Sequence, residues 1–204
     1  MASETGHPGS TAEVMTREVR WFFHGPLPGD FHEWFTSATH TREHRVDVYD
    51  LASARNGVGR KHRDDATLDT KYRVDTFHRV PIAPGVVGHV EDWMKISQSL
   101  NGAAMRRLAD PLPVDKKLLG RRYLLNGDHD SGCEVELAEI EVGRLKAWSL
   151  CFETFGNAED RGLALQSCFE RFLSDTPLPH GLELGAEASV GYPDWISRLM
   201  SRAA

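Results

Sequence analysis

Long apolar runs are missing from this chain of 204 residues, and no stretch has the length of a membrane-spanning helix. Cysteine is scarce. Cys133, Cys151 and Cys168 make an odd number without CxxC spacing, which excludes a disulfide framework and a cysteine-based zinc site. Cys151 and Cys168 fall in apolar runs, where a free cysteine acts as a small hydrophobe. A reducing, cytoplasmic setting is therefore expected. The opening MASETGHPGSTAE has neither the basic region nor the apolar core of a secretory signal, so residues 1–15 read as a flexible tail. Positive charge is also in deficit: 24 Lys and Arg against 30 Asp and Glu give a formal net charge of -6. General binding to duplex nucleic acid rests on cationic contacts to phosphate, and this balance argues against it. There is no HExxH or H-x-x-x-H spacing, no G-x-S-x-G elbow, no internal repeat and no low-complexity segment.

What remains is a globular composition, 40% hydrophobic and 26% charged, read as a single domain over residues 16–204. MTREVRWFFHG alternates, with Glu18, Arg20 and Phe22 on one face and Val19, Trp21 and Phe23 on the other. DFHEWFTSA reads as a short helix capped by Asp30. HRVDVYDL, VGRKHRDD, ATLDTKYRVD and VVGHVEDWMKIS read as strands, separated by the turn ASARNG and the break RVPIAPG. LNGAAMRRLADPLP reads as a short helix and a loop, KKLLGRRYLLN as a strand, and GDHDSG as a turn. CEVELAEIEV and RLKAWSLCFETFG form a hairpin around Gly143. Two helices follow: AEDRGLALQSCFERFL, capped by Asn157, and YPDWISRLM. Eight strands without βαβ alternation predict a mainly β (α+β) fold, an antiparallel barrel with helices outside.

The polar strand positions are mostly full charges. Lys61, Arg63, Lys71 and Arg73 recur at strand spacing, joined by Glu91 and Lys95, by Lys117 with Arg121 or Arg122, and by Glu134, Glu136 and Glu153. On a wet sheet face such charges form cross-strand ion pairs. Inside a closed barrel they need pairing, hydration or a bound ion. A polyphosphate with a divalent cation satisfies both signs, with Arg and Lys on the phosphate oxygens and carboxylates on Mg²⁺ or Mn²⁺. His62 and His89 stand alone, and the tryptophans read as core.

In their order, VDVYDLASARNGVGRKHRDDATLDTKYR, KKLLGRRYLL, CEVELAEIEV, WSLCFETFG and EASVGYPDWI resemble the CYTH domain, the fold of the triphosphate tunnel metalloenzymes. Lys61 and Arg63 match the family's basic pair, and Lys71 its strand-ending lysine. The resemblance covers roughly residues 16 to 200. It implies an eight-stranded antiparallel tunnel that binds a small triphosphate-bearing ligand with a divalent metal and hydrolyses it. On it, Arg20, Lys61, Arg63, Lys71, Arg73, Lys117, Arg121 and Arg122 are phosphate contacts, and Glu18, Glu134, Glu136 and Glu153 are metal ligands. The family's E-x-E-x-K signature is here TREVR, with Thr16 for the first Glu and Arg20 for the Lys. That departure keeps a non-catalytic polyphosphate binder open, and a structural or interaction module without ligand is the third reading. The sequence does not decide the catalytic residue, the substrate's organic group, the metal or the oligomeric state.

Overall fold

The computed structural model describes residues 11–63, 67–99, 108–125, 128–156 and 161–203. In chain order the elements are β1 (Thr11–His24), α1 (Gly29–Thr36), β2 (Thr41–Asp50), α2 (Leu51–Ala54), β3 (Val58–Arg63), β4 (Thr67–Ala83), β5 (Val86–Ser99), β6 (Pro111–Leu125), β7 (Asp128–Val142), β8 (Leu145–Phe155), α3 (Arg161–Asp175) and α4 (Tyr192–Ala203). All strand pairs are antiparallel, and the order β1-β5-β4-β3-β2-β6-β7-β8 closes on itself through β8–β1. The predicted barrel is the observed one.

Closure gives each strand an inner and an outer face, and each face has its own apolar cluster. Outside, Val19 and Trp21 of β1, Leu119 and Tyr123 of β6, Val135 and Leu137 of β7 and Phe152 of β8 meet Phe35 of α1 and Phe169 and Phe172 of α3. Rings dominate here: Phe152 stacks on Phe169 at 4.1 Å and meets Phe172 edge-on at 5.2 Å. Each fully buried ring contributes about 1.5–3 kcal/mol. The second cluster fills one end of the barrel. Phe22, Tyr49, Val114, Leu118 and Ile140 point inward, and Trp195, Ile196 and Leu199 of α4 pack onto them. Trp195 stacks on Phe22 at 4.4 Å. Thus α1 and α3 lie against the wall, and α4 lies across a mouth.

The segment leading to α4 is laced to the barrel by Val87 N–H to Leu184 O (2.9 Å), Phe22 N–H to Ala188 O (2.9 Å) and Val190 N–H to Arg20 O (3.1 Å). Gly191 ends it. A Cβ there would collide with Glu91 Oε2 and the Trp93 ring, so only glycine lets the chain enter the mouth this closely.

Several boundaries differ from expectation. β1 begins at Thr11, so residues 11–15 are strand rather than tail. β4 runs through the anticipated Pro-rich break to Ala83, absorbing it in register shifts. GDHDSG is not a turn as a whole: Asp128–Gly132 is already β7. Gly132 is small because a Cβ would strike the Tyr123 carbonyl and the Phe155 ring. Pro28, not Asp30, occupies the N-cap of α1, and Asp30 lies in its first turn. The single-turn α2, Leu51–Ala54, takes Leu51 from the expected strand and the first three residues of the ASARNG turn. The helix expected near residues 100–107 and the Asn157 cap lie outside the described residues.

Candidate functional site

Between the α4 plug and the opposite mouth lies an interior cavity of about 120 Å³. Arg20, Arg45, Lys61, Arg63, Lys71, Lys95 and Lys116 line it together with Glu18, Asp69, Glu136 and Glu153. Seven cations against four carboxylates make a cation-rich chamber inside an acidic protein.

Strand register sorts these charges into two walls. Glu91, Glu18, Glu153 and Glu134 lie directly opposite one another across β5, β1, β8 and β7, and Arg122 ends the row on β6. Like charges in register repel unless something neutralises them. Lys71 does so for two, lying 3.0 Å from Glu18 Oε2 and 2.8 Å from Glu153 Oε1. Burial alone would lower the Lys71 pKa, but Glu153 and Glu18 together lift it above the ordinary lysine value. Arg20 donates to Glu136 Oε1 at 2.9 Å and to Ser149 at 3.1 Å. That holds Glu136 below the usual carboxylate range against its burial. Burial, with Glu136 and Glu153 nearby, pushes Glu134 up. Glu91, desolvated and close to Glu18, is raised to about 7 although Arg73 lies 3.0 Å away.

The opposite wall, on β2, β3 and β6, reverses the ratio. Asp47 is fully buried. Lys61 and Lys116 each lie 2.7 Å from Asp47 Oδ2, and Arg45 lies 3.4 Å from Oδ1. Burial works to raise the Asp47 pKa, but Lys116 and Lys61 bring it far below the ordinary value. Lys61 is pulled down to about 8 by burial and by Arg63 and Arg45, against Asp47. Lys116 is depressed further, by burial and by Lys61. It also donates to Tyr49 Oη at 2.7 Å and sits 4.1 Å from the Tyr192 ring centroid.

Of the residues singled out in the sequence, the cavity brings together Arg20, Lys61, Arg63, Lys71, Glu18, Glu136 and Glu153. Arg73 stands at the plugged end, 2.7 Å from Asp194 of α4 and over the Trp93 ring at 4.9 Å. Glu134 and Arg122 share the inward register but are exposed. Two of them lie outside the barrel. Lys117 points outward beside Arg42 and Glu139, because Val114, Lys116 and Leu118 take the inner positions. Arg121 is outside under α1 and α3, donating to Thr176 at 2.6 Å and to the Phe35 carbonyl. Thr16 is buried on the inward register of Glu18 and Arg20. His89 does not stand alone: its Nδ1 lies 3.3 Å from that of His78.

Sequence reasoning missed Arg45, Asp47, Asp69 and Lys116. Asp69 accepts from Ser97 at 2.7 Å and faces Lys95 at 3.3 Å. Alternation within HRVDVYD places Arg45, Asp47 and Tyr49 on one face, which was the available signal. Among the described residues no group of three or more donors stands ready to hold a metal ion, because the carboxylates are turned to lysine and arginine. No family model matches the chain, and no curated protein matches it.

Proposed function

We propose that the barrel interior binds the terminal phosphates of a triphosphate-containing ligand, inorganic or organic, together with Mg²⁺ or Mn²⁺, and hydrolyses the phosphoanhydride bond. One observation carries the reading: seven basic side chains converge on a single cavity, against four lining carboxylates and the buried Asp47 behind Lys61, Lys116 and Arg45. Surplus buried cations are stabilised by a multiply charged anion. About 120 Å³ accommodates the end of an oligophosphate, with the rest of the ligand directed to the open mouth.

The carboxylate wall supports the metal. Glu18, Glu153 and Glu134 are neighbours on adjacent strands, and Glu136 follows on β7. Phosphate oxygens compete for Lys71 and Arg20, and each cation they draw away frees a carboxylate for a hard cation. Bound there, the ion neutralises charge on the transferred phosphoryl group. Metal and phosphate binding are then coupled, each raising the other's affinity by the same factor. The buried Thr16 favours a second reading, a binder without turnover, since it offers no charge where the resembled family has a carboxylate.

Thermal-shift titration with tripolyphosphate, with and without Mn²⁺, tests binding; phosphate release then separates hydrolysis from binding alone. A rise in Tm that is larger with both ligands, and reduced in Arg63→Ala, is expected. No response to tripolyphosphate would sink the proposal. Thr16→Glu is expected to tighten Mn²⁺ binding measured by calorimetry.

A further inference from the structure

Away from the cavity, the hairpin of β4 and β5 carries a second concentration of chemistry. The start of β5, before Val90, has no partner on β1. It bonds instead to the segment ahead of α4, through Val87 N–H to Leu184 O at 2.9 Å and His89 N–H to Ser189 Oγ at 2.8 Å. At the same level the register of β4 slips. Phe77 faces Val90 and Val80 faces Gly88, so His78 and Arg79 together oppose His89. A bulge of this kind re-aims a side chain. Arg79 holds φ at 52°, and it alone among the described non-glycine residues has a positive φ. Such backbone strain persists only where the surrounding structure imposes it, and it collects at ligand sites. Its outcome here is that the rings of His78 and His89 meet at 76° with their Nδ1 atoms 3.3 Å apart.

A metal ion matches that spacing better than a shared proton does. N–H hydrogen bonds cluster near about 2.9–3.0 Å. Arg79 N–H, 3.3 Å away, marks His89 Nδ1 as the acceptor, so a proton shared with His78 would set two donors on one lone pair, both at long range. Around a tetrahedral Zn²⁺ with bonds of about 2.0–2.1 Å, two ligand nitrogens stand about 3.3–3.4 Å apart. Square-planar or octahedral coordination brings neighbouring ligands closer, to about 2.8–3.0 Å.

We propose that Nδ1 of His78 and Nδ1 of His89 bind a Zn²⁺ ion, with the Glu187 carboxylate as third ligand and water as the fourth. Glu187 lies on the same segment as Ser189 and is held beside the pair by Arg79 Nη1 at 3.1 Å. Its side chain is 76% exposed, so it can turn from that guanidinium to a metal. Because it now faces Arg79, no set of three donors stands assembled among the described residues. Burial holds His89 below the ordinary histidine value, with His78, Arg79 and Arg198 adding to the effect, and its lone pair is available at neutral pH. Neither histidine lines the central cavity, so the site does not depend on phosphate binding there. A bound ion would tie β4 and β5 to the segment that leads into α4.

The test is calorimetric titration of the intact protein with Zn²⁺ in excess Mg²⁺, which competes for the carboxylates of the cavity. One Zn²⁺ per chain is expected. His78→Asn and His89→Asn should each weaken it at least about tenfold, the least that loss of even a ligand's supporting partner costs. Glu187→Gln should weaken it too, and Arg63→Ala, which alters the cavity, should leave it unchanged. Co²⁺ in place of Zn²⁺ should show the intense visible absorption of tetrahedral coordination, lost in His78→Asn. His78 is exposed, so its replacement leaves the fold intact. No Zn²⁺ binding, equal binding by the histidine variants, or loss of binding in Arg63→Ala would each overturn the site. A weak octahedral Co²⁺ spectrum or an unaffected Glu187→Gln would overturn the ligand set.

Discussion

Lys71 and Lys61 occupy the same cavity, yet their amines are tuned in opposite directions. Lys71 sits between two carboxylates, Glu18 and Glu153, and is held more firmly as an ammonium than a lysine in water. Lys61 shares one carboxylate with Lys116 and is brought down to about 8. Burial pushes both amines the same way, so the number of carboxylates per amine decides the outcome. The barrel thus carries an acidic wall on β1, β7 and β8 and a basic wall on β2, β3 and β6, and lysine is held in a different electrostatic setting on each.

The comparison breaks most forcefully at Asp47. Asp47→Asn leaves Lys61, Lys116 and Arg45 without their shared anion, and we expect a loss of about 3–5 kcal/mol in chemical denaturation. Lys71→Met strands Glu18 and Glu153, but Arg20 still faces Glu18 at 3.8 Å. A smaller cost of about 2–3 kcal/mol should appear by the same measurement. Lys61→Met is expected to change stability by less than about 1 kcal/mol, because Lys116 still pairs with Asp47. If the two lysine variants cost the same, the two walls are not distinct.

Titration sharpens the contrast further. Lys61 has its folded pKa depressed, so between about 8 and 10.5 the unfolded chain binds more protons. Its contribution to stability therefore rises with pH across that window, and Lys61→Met should flatten the rise. Glu91, raised to about 7 from 4.5, has the opposite sign. The folded state binds more protons between those values, so stability from this group is lost as pH climbs through about 7. Glu91→Gln should remove that decline, the smallest of these effects. Denaturation midpoints across pH read both.

How much of this was legible in the sequence depended on clean alternation. TREVRWFFH assigns Glu18 and Arg20 to one face and Val19 and Trp21 to the other, and the barrel keeps that division. KKLLGRR could not be read so. Its doubled residues put a lysine, a leucine and an arginine on each face, so period two gives no preference between Lys116 and Lys117 or between Arg121 and Arg122. Only pairing with β2 and β7 settles the inner set. Asp47 was hidden for another reason: a single aspartate in a strand gains its meaning from Lys61 and Lys116, which arrive 14 and 69 residues later. GDHDSG misled because its second glycine, Gly132, serves packing against Tyr123 rather than chain reversal.

The position of β1 in the barrel has a consequence for how the chain is made. β2 through β5 pair in sequence order, as do β6 through β8, so each set can assemble soon after synthesis. β1 has no such neighbour; it pairs with β5 and β8, the second of which emerges more than a hundred residues later. Contacts of that sequence separation form slowly. Until then EVRWFF, with Val19, Trp21 and Phe23 on one face, is an unpaired aromatic strand open to association with other chains. The strand that carries Glu18 and Arg20 into the cavity is thus the one most dependent on protection in the nascent protein.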